Sequence, residues 1–501
     1  MRSSSVSAPR LRAWTKVLGA LLGVAAVAAC STTPRQVPEV PPLPTSWTSP
    51  PVGATQAQLE NWWRAFEDPV LTRLIEDGVS AAPSVRLAQL RLLEARASAR
   101  STIARYLPDL SLEASGQYTR VEEGPLLASG GFQTGGAFTL EQEQFIATYG
   151  PRVRWEIPLL GRIDAAVRGA RSTQAFAEAD LRGAQAAIAG DIAEAYVALR
   201  RAQNIAAALA QSVAAADQLA DILEIGAGAG LTAPADAADA RRQAESLRAR
   251  QTDLLLAVQQ ERTRLALLRG RAPGTEPRDL DVALTTPEAV PAAPLFSVPA
   301  APADLLRVRP DVAQAEARAL TAAAAVGAAR ADQWPQINLS GALSIADNLV
   351  GGPLPEQTMR LIAQPLISLP LFDWGQRQAA VRQRDSQFEQ ALILYRETVN
   401  AAIAEADLAL TGLSVAEERL QAARAAELAA TAAARGARAS YEAGITSLPD
   451  RLRADQLLID AQIARIEAET ARASVAVSVY RAFGGGPPEA FDRSRETAPP
   501  G

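Results

Sequence analysis

Residue types able to do chemistry are scarce in this chain. It has no histidine, one cysteine at Cys30 and one lysine at Lys16. That inventory excludes a Ser-His-Asp triad, a Cys-His pair and an imidazole metal site, and with the leader removed it excludes a Schiff-base lysine. Carboxylates remain, but they are scattered at helix-surface spacing, so neither an enzyme nor a cofactor is expected. One cluster has a defined spacing: Ser447, Asp450 and Arg453 follow one another at intervals of three, on one face of a helix. Ser447 with Asp450 fits a capping box, in which the pair only closes a helix start.

Cys30 sits at the end of a secretory leader. Basic residues up to Lys16 precede the apolar run Val17 to Val27, which is too short for a retained transmembrane helix. Val27-Ala28-Ala29-Cys30 resembles a bacterial lipobox, which implies cleavage after residue 29 and acylation of Cys30. Ser31 stands where an aspartate would retain a lipoprotein at the inner membrane, so the implied address is the outer membrane. Each buried CH₂ of an acyl chain adds about 0.8 kcal/mol of membrane affinity. The alternative is an ordinary signal peptide with a chance cysteine.

Cluster and cysteine belong to a duplicated helical architecture. Phe388, Leu392, Tyr395, Val399, Ile403, Ala406 and Leu410 recur at spacings of three and four, the seam of a helix packed lengthwise on another. The pattern predicts a helix from Trp374 to Tyr441, a break at Gly444-Ile445-Thr446-Ser447, and a return helix from Leu448 to Phe483. An upstream copy opens at Gly161-Arg162-Ile163, breaks in the cluster Gly226, Gly228 and Gly230, and returns from Pro234 to Gly270. Gly230-Leu231-Thr232 matches Gly444-Ile445-Thr446, and Ile192-Ala193-Glu194-Ala195 matches Ile403-Ala404-Glu405-Ala406, so the chain reads as two repeats. As turn residues, the glycines would take positive φ, and Thr232, Thr446 and Ser447 could cap the following helices.

Ahead of each long helix the hydrophobic period changes to two. Leu110, Leu112, Ala114, Gly116 and Tyr118, then Phe145 to Ile157 at alternate positions, predict one pair of strands. Ile337 to Ile345 and Met359 to Leu369 predict another. Glycine-rich connections lie around Gly130-Gly131, Gly135-Gly136 and Gly351-Gly352-Pro353. Beyond the leader no run of about 18 uncharged apolar residues is present, so no helix is expected to cross a bilayer. The strands have the length that a transmembrane barrel uses, yet four cannot close, so insertion would require oligomerisation. A soluble β-layer is the alternative.

The order of segments is a signal peptide (1–29), an extended tether (30–55), repeat 1 (56–270), a proline-rich linker (271–300), repeat 2 (301–486) and a polar tail (487–501). Without the leader's Arg2, Arg10, Arg12 and Lys16, the 50 basic residues fall to 46 against 55 acidic ones. A balance of −9 offers no basic surface for nucleic acid.

Helix, strand hairpin, long helix, tight turn and return helix, repeated behind a lipobox, resemble the outer membrane factor family of TolC-like and NodT-like channels. Trp62-Trp63 with Phe66-Glu67-Asp68-Pro69, Trp155 to Ile163, Leu369 to Gly375 and Tyr441 to Thr446 carry the resemblance, although Pro158 replaces the family's usual aspartate. It implies a mainly α protein with membrane β structure: helical hairpins forming a periplasmic tunnel, and four strands per chain in a homotrimeric 12-stranded barrel. It further implies passive passage of substrates handed over by an inner-membrane pump of RND type and a periplasmic adaptor. Adaptor contacts would fall on Gly230, Leu231 and Thr232 and on Gly444, Ile445 and Thr446. A periplasmic gate would involve Asp450, with Arg453 where a second acid is frequent: a ring of Asp450 carboxylates would select cations, and an Asp450–Arg453 pair would make a latch. The alternatives are a lipid-anchored coiled-coil scaffold without a pore and the outer membrane component of a type I secretion system.

Overall fold

The computed structural model describes residues 61–122, 141–157, 161–292, 309–350 and 357–485. Cys30, the leader, the tether, Pro158, the glycine-rich strand connections and the tail from 487 lie outside the described residues. After a short 3-10 helix, Trp62–Phe66, come α1 (Pro69–Ala81), α2 (Pro83–Ala104), β1 (Asp109–Glu122), β2 (Glu141–Ile157), α3 (Arg162–Gly228) and α4 (Pro234–Leu268). They are followed by α5 (Arg278–Thr285), α6 (Pro310–Ala331), β3 (Gln336–Val350), β4 (Gln357–Ser368), α7 (Gln376–Glu442) and α8 (Leu448–Ala482).

The repeats agree in length as well as order. Helices α2 and α6 have 22 residues each, α3 and α7 have 67, and α4 and α8 have 35. At 1.5 Å per residue the 67-residue helices are about 100 Å long. From the long helices onward, each position of repeat 2 lies 214 residues after its counterpart: Arg162 and Gln376 begin α3 and α7, and Gly230 and Gly444 hold the turns.

Two compact units result. One is built from Ala95–Gln174 and Arg318–Leu392 and contains a four-stranded antiparallel sheet in the order β1-β2-β3-β4. Its central pairing, β2 with β3, joins the two repeats. The register sorts the side chains. Leu112 faces Pro151, Leu110 faces Val153, Tyr149 faces Ile345 and Leu343 faces Leu361, so the alternating apolar residues of all four strands share one face. Leu112, Leu361 and Met359 are 81%, 81% and 72% exposed. The opposite face carries Ser111, Glu113, Thr148, Asn338, Ser340 and Gln364, and there Glu113 binds Arg152 (2.9 Å) and Arg154 (2.5 Å). Gly150 allows the close approach of β3: a Cβ there would stand 1.9 Å from the Leu343 carbonyl oxygen.

The other unit comprises the segment up to Glu94, Ala175–Ala317 and the chain from Ile393. Its core gathers Trp62, Trp63, Phe66, Leu71, Leu74, Ile75, Ile192, Tyr196, Leu199 and Phe483. Trp62 stacks on Tyr480 at 4.9 Å, and burial pushes the Tyr480 phenol up to about 12. Asp68 separates the 3-10 turn from α1, because one carboxylate oxygen accepts from the Val70 and Leu71 amides and starts the new helix. The other accepts from the Tyr196 hydroxyl at 2.8 Å.

Three expectations change. The segment read as a linker contains α5, whose Leu280 and Leu284 enter the core. Fully buried Arg200 secures the chain just beyond this helix, donating to the Thr286 carbonyl (2.7 Å) and to Glu288 (2.9 Å). Prolines flank this short amphipathic helix and mask its period. Next, of the three glycines read as the first break, Gly226 and Gly228 belong to α3, and only Gly230 turns left-handed, at φ 74°. Finally, the lack of an uncharged apolar run of about 18 residues does not by itself set α7 aside, because with two charged residues allowed this helix is long and apolar enough by composition to cross a membrane. Counting only uncharged runs overlooks it. Ala406 and Leu410 of α7 nevertheless pack in the core, and Glu405 binds Arg309 at 2.6 Å.

Candidate functional site

Both long helices end in the same turn. Gly230 donates to Ala227 O and Leu231 to Gly226 O, and Gly444 donates to Tyr441 O and Ile445 to Ser440 O, all between 2.8 and 3.1 Å. This is a Schellman motif: a glycine at positive φ, 74° and 72° here, lets the last carbonyls be satisfied. The apolar residue after that glycine usually folds back onto the helix. Here it points away: Leu231 is 81% and Ile445 77% exposed.

The threonines behave unlike caps. Thr232 donates back to the Leu223 carbonyl at 3.0 Å, in space left by Gly226, and Ala233 is the N-cap of α4 without a side-chain bond. Ser440 occupies the place of Gly226 in repeat 2, and the buried Thr446 hydroxyl has no hydrogen-bond partner. Ser447 does cap α8, since its Oγ accepts from the Asp450 amide at 3.4 Å and donates to Asp450 Oδ2 at 2.6 Å. Arg453 binds the other Asp450 oxygen at 3.2 Å. Asp450 therefore takes part in a capping box and in an ion pair within one helix turn. Its carboxyl is held below the usual range, first by the Ser447 hydroxyl and also by Arg453.

Ion pairs across each hairpin were not anticipated. Arg241 on α4 reaches Asp221 (2.6 Å) and Glu224 (2.8 Å) on α3, with Asp217 at 3.8 Å. Arg438 on α7 meets Asp455 on α8 at 3.5 Å. By the 214-residue offset, Asp455 is the counterpart of Arg241 and Arg438 that of Glu224, so the pair recurs with its charges exchanged. Folding the sequence back on Leu231 would have revealed the first pair, because Asp221 lies ten residues before it and Arg241 ten after. Asp455 also holds Arg451 at 3.3 Å, and the Arg451 guanidinium lies 5.6 Å from the centre of the Tyr441 ring. Among the described residues no group of acidic, histidine or cysteine side chains is arranged to hold a metal ion.

The duplicated hairpins, matched tips and two-faced sheet agree with a family model described as outer membrane efflux protein, which matches residues 74–271 and 301–485. The chain belongs to that family. It is similar to outer membrane protein OprJ of Pseudomonas aeruginosa, 26% identical over 481 residues that cover 94% of this chain and 95% of the relative. It is also similar to the toluene efflux pump outer membrane protein TtgC of Pseudomonas putida, 29% identical over 91% of this chain and 93% of the relative. Among solved structures, the outer-membrane channel OprN superposes with a TM-score of 0.73 at 27% identity, over 89% of this chain and 99% of that one. This outer membrane efflux protein is the outer membrane component of an efflux system.

Proposed function

We propose that three copies of this outer membrane efflux protein close their sheets into one 12-stranded barrel and form a passive conduit. The register is the observation that carries this reading. It places an exposed apolar surface on one side of the sheet and Glu113, Arg152, Arg154 and the hydroxyl and amide side chains on the other. It also leaves β1 and β4 as edges with unpaired backbone groups among the described residues. In a bilayer an apolar face has a partner, but an open edge does not. A single copy of four strands is below the smallest ordinary barrel of about eight, and pairing β4 of one copy with β1 of the next removes every edge.

The tips are the docking points for a periplasmic adaptor, which couples the conduit to an inner-membrane pump of RND type. Exposure of Leu231 and Ile445 on two equivalent turns supports this assignment. Asp450 and Arg453 act as a latch at the second tip, and Cys30 as the lipid attachment site. The relatives are named for unlike cargoes, toluene and pyoverdine among them, which suits a conduit that selects through its partners.

The test is single-channel conductance of the detergent-extracted protein in planar bilayers, with its mass determined alongside. Discrete openings from a species three times the chain mass are expected. A monomer without conductance would overturn the reading.

A further inference from the structure

Directly after β4 the chain exposes an unusual concentration of large apolar side chains. Leu369 is 53% exposed, Leu371 87%, Phe372 75% and Trp374 91%. Phe372 and Trp374 touch edge to face, with ring centres 4.8 Å apart. Their segment is fastened firmly. One Asp373 oxygen accepts from the Gly375 amide at 3.0 Å, and the other from the Arg377 amide and guanidinium at 3.1 and 2.9 Å. Trp374 itself has φ 55°, in the left-handed region where a bulky residue is an outlier. The fold thus holds an indole outward where glycine would be the easier choice.

The position of this pair follows from the sheet. Leu369 and Leu371 continue the odd-numbered series Met359, Leu361, Ala363, Pro365 and Ile367 that forms the apolar face of β4. On that face Tyr149 lies level with Ile345 and Met359. From this level to Leu369 is ten residues, or ~33 Å along the strand. At a tilt of about 40° that projects to ~25 Å, the height of the apolar band of an outer-membrane barrel. Tyr149 stands at one border of the band, and Phe372 and Trp374 fall just past the other.

We propose that Phe372 and Trp374 form a membrane-interface anchor, seated among lipid headgroups at the periplasmic border, that fixes the depth of the barrel. An indole combines an apolar ring with one hydrogen-bond donor, which suits a layer that is half hydrocarbon and half water. The corresponding positions of repeat 1 are Pro158, Leu159 and Leu160, so the Phe-Asp-Trp sequence has no counterpart there. The proposal rests on the lipid-facing reading of the apolar sheet face.

The test uses the full chain in phospholipid vesicles whose lipids carry bromine either near the headgroup or near the bilayer centre. Trp374 emission is obtained as the difference between the native protein and Trp374→Phe. It should be quenched at least about twofold more by shallow bromine than by deep, as expected for an interfacial indole. Quenching by aqueous iodide without any by lipid would place the ring in water and overturn the anchor. Protection from both would place it against protein and overturn the anchor equally. Leu361→Trp in the Trp374→Phe background separates the two claims: its added emission should yield to deep bromine, and its failure to do so would remove the lipid-facing reading itself. Trp374→Gly suits the left-handed backbone and should melt no earlier than the native protein; earlier melting would assign the pair to packing instead.

Discussion

At the first tip Arg241 reaches across to acids on α3, whereas at the second the equivalent residue is itself an acid, Asp455, and the arginine lies on α7. The turns are the same bond for bond, so the backbone of the ancestral hairpin has been kept while the sign of its cross-helix pair has been exchanged. The exchange has a physical use. In a duplicated chain, α4 could pack on α7 and α8 on α3 with much the same apolar seam. That mispairing would set Arg241 against Arg438 and Asp455 against Glu224. Like charges would then oppose one another near both turns, and only the native partnering satisfies them. A second contrast lies in where each tip is held. The first is tied across its hairpin by Arg241, and the second largely within α8 by Ser447, Asp450 and Arg453.

The largest test of this comparison removes what the tips share. Gly444→Pro abolishes the amide that donates to Tyr441 and cannot adopt φ 72°, so the turn should lose about 3 kcal/mol or more. Protein should still reach the membrane, yet export should fail, as read by accumulation of cargo in cells that express the variant. Normal export would remove the docking role of the tip. Ser447→Ala comes next, with an expected cost of about 1 kcal/mol, seen as faster amide exchange at the start of α8 and unchanged exchange at α4, whose N-cap makes no side-chain bond.

Charge exchange sharpens the comparison further. Arg241→Asp should loosen the first tip, and adding Glu224→Arg should restore it by giving the first repeat the polarity of the second; proteolysis at residues 229–233 is the readout. The smallest effect is on pH. The carboxyl of Asp450 is depressed by Ser447 and Arg453, and that of Glu224 chiefly by Arg241. Depressed groups stabilise the fold above their unfolded pKa and lose that contribution as pH falls through the folded one. Both tips should therefore be indifferent to pH from neutrality to about 5 and loosen only below about 4. Asp450→Asn should abolish the response of the second tip and leave that of the first.

Much of this fold was legible because period is a direct record of burial. The spacing from Phe388 to Leu410 specified α7, and the alternation from Phe145 to Ile157 specified β2, since each apolar residue has to face a partner. Duplication doubled that signal and fixed the tips. The pairing of β2 with β3 was less accessible, because alternation gives the face of a strand and not its neighbour. Helix α5 was hidden by the prolines around it and by having only two buried side chains to announce it. At the tips, residue type pointed to Thr232 and Thr446 as caps, but space decided otherwise: Gly226 opens a seat for the Thr232 methyl and hydroxyl, and Ser440 fills its equivalent. The Ser447–Asp450 cap was legible from its spacing, and Asp450 with Arg453 entered through the resemblance, while the cross-helix pairs required the hairpin to be folded back first.

The equality of the two helical rods, 67 residues in each, makes the chain its own gauge. A heptad inserted in one rod alone would push its tip about 10 Å past the other. Any partner that grips both tips therefore tolerates growth or shrinkage only when it happens in both halves of the gene together, so lengths should drift in matched steps or not at all.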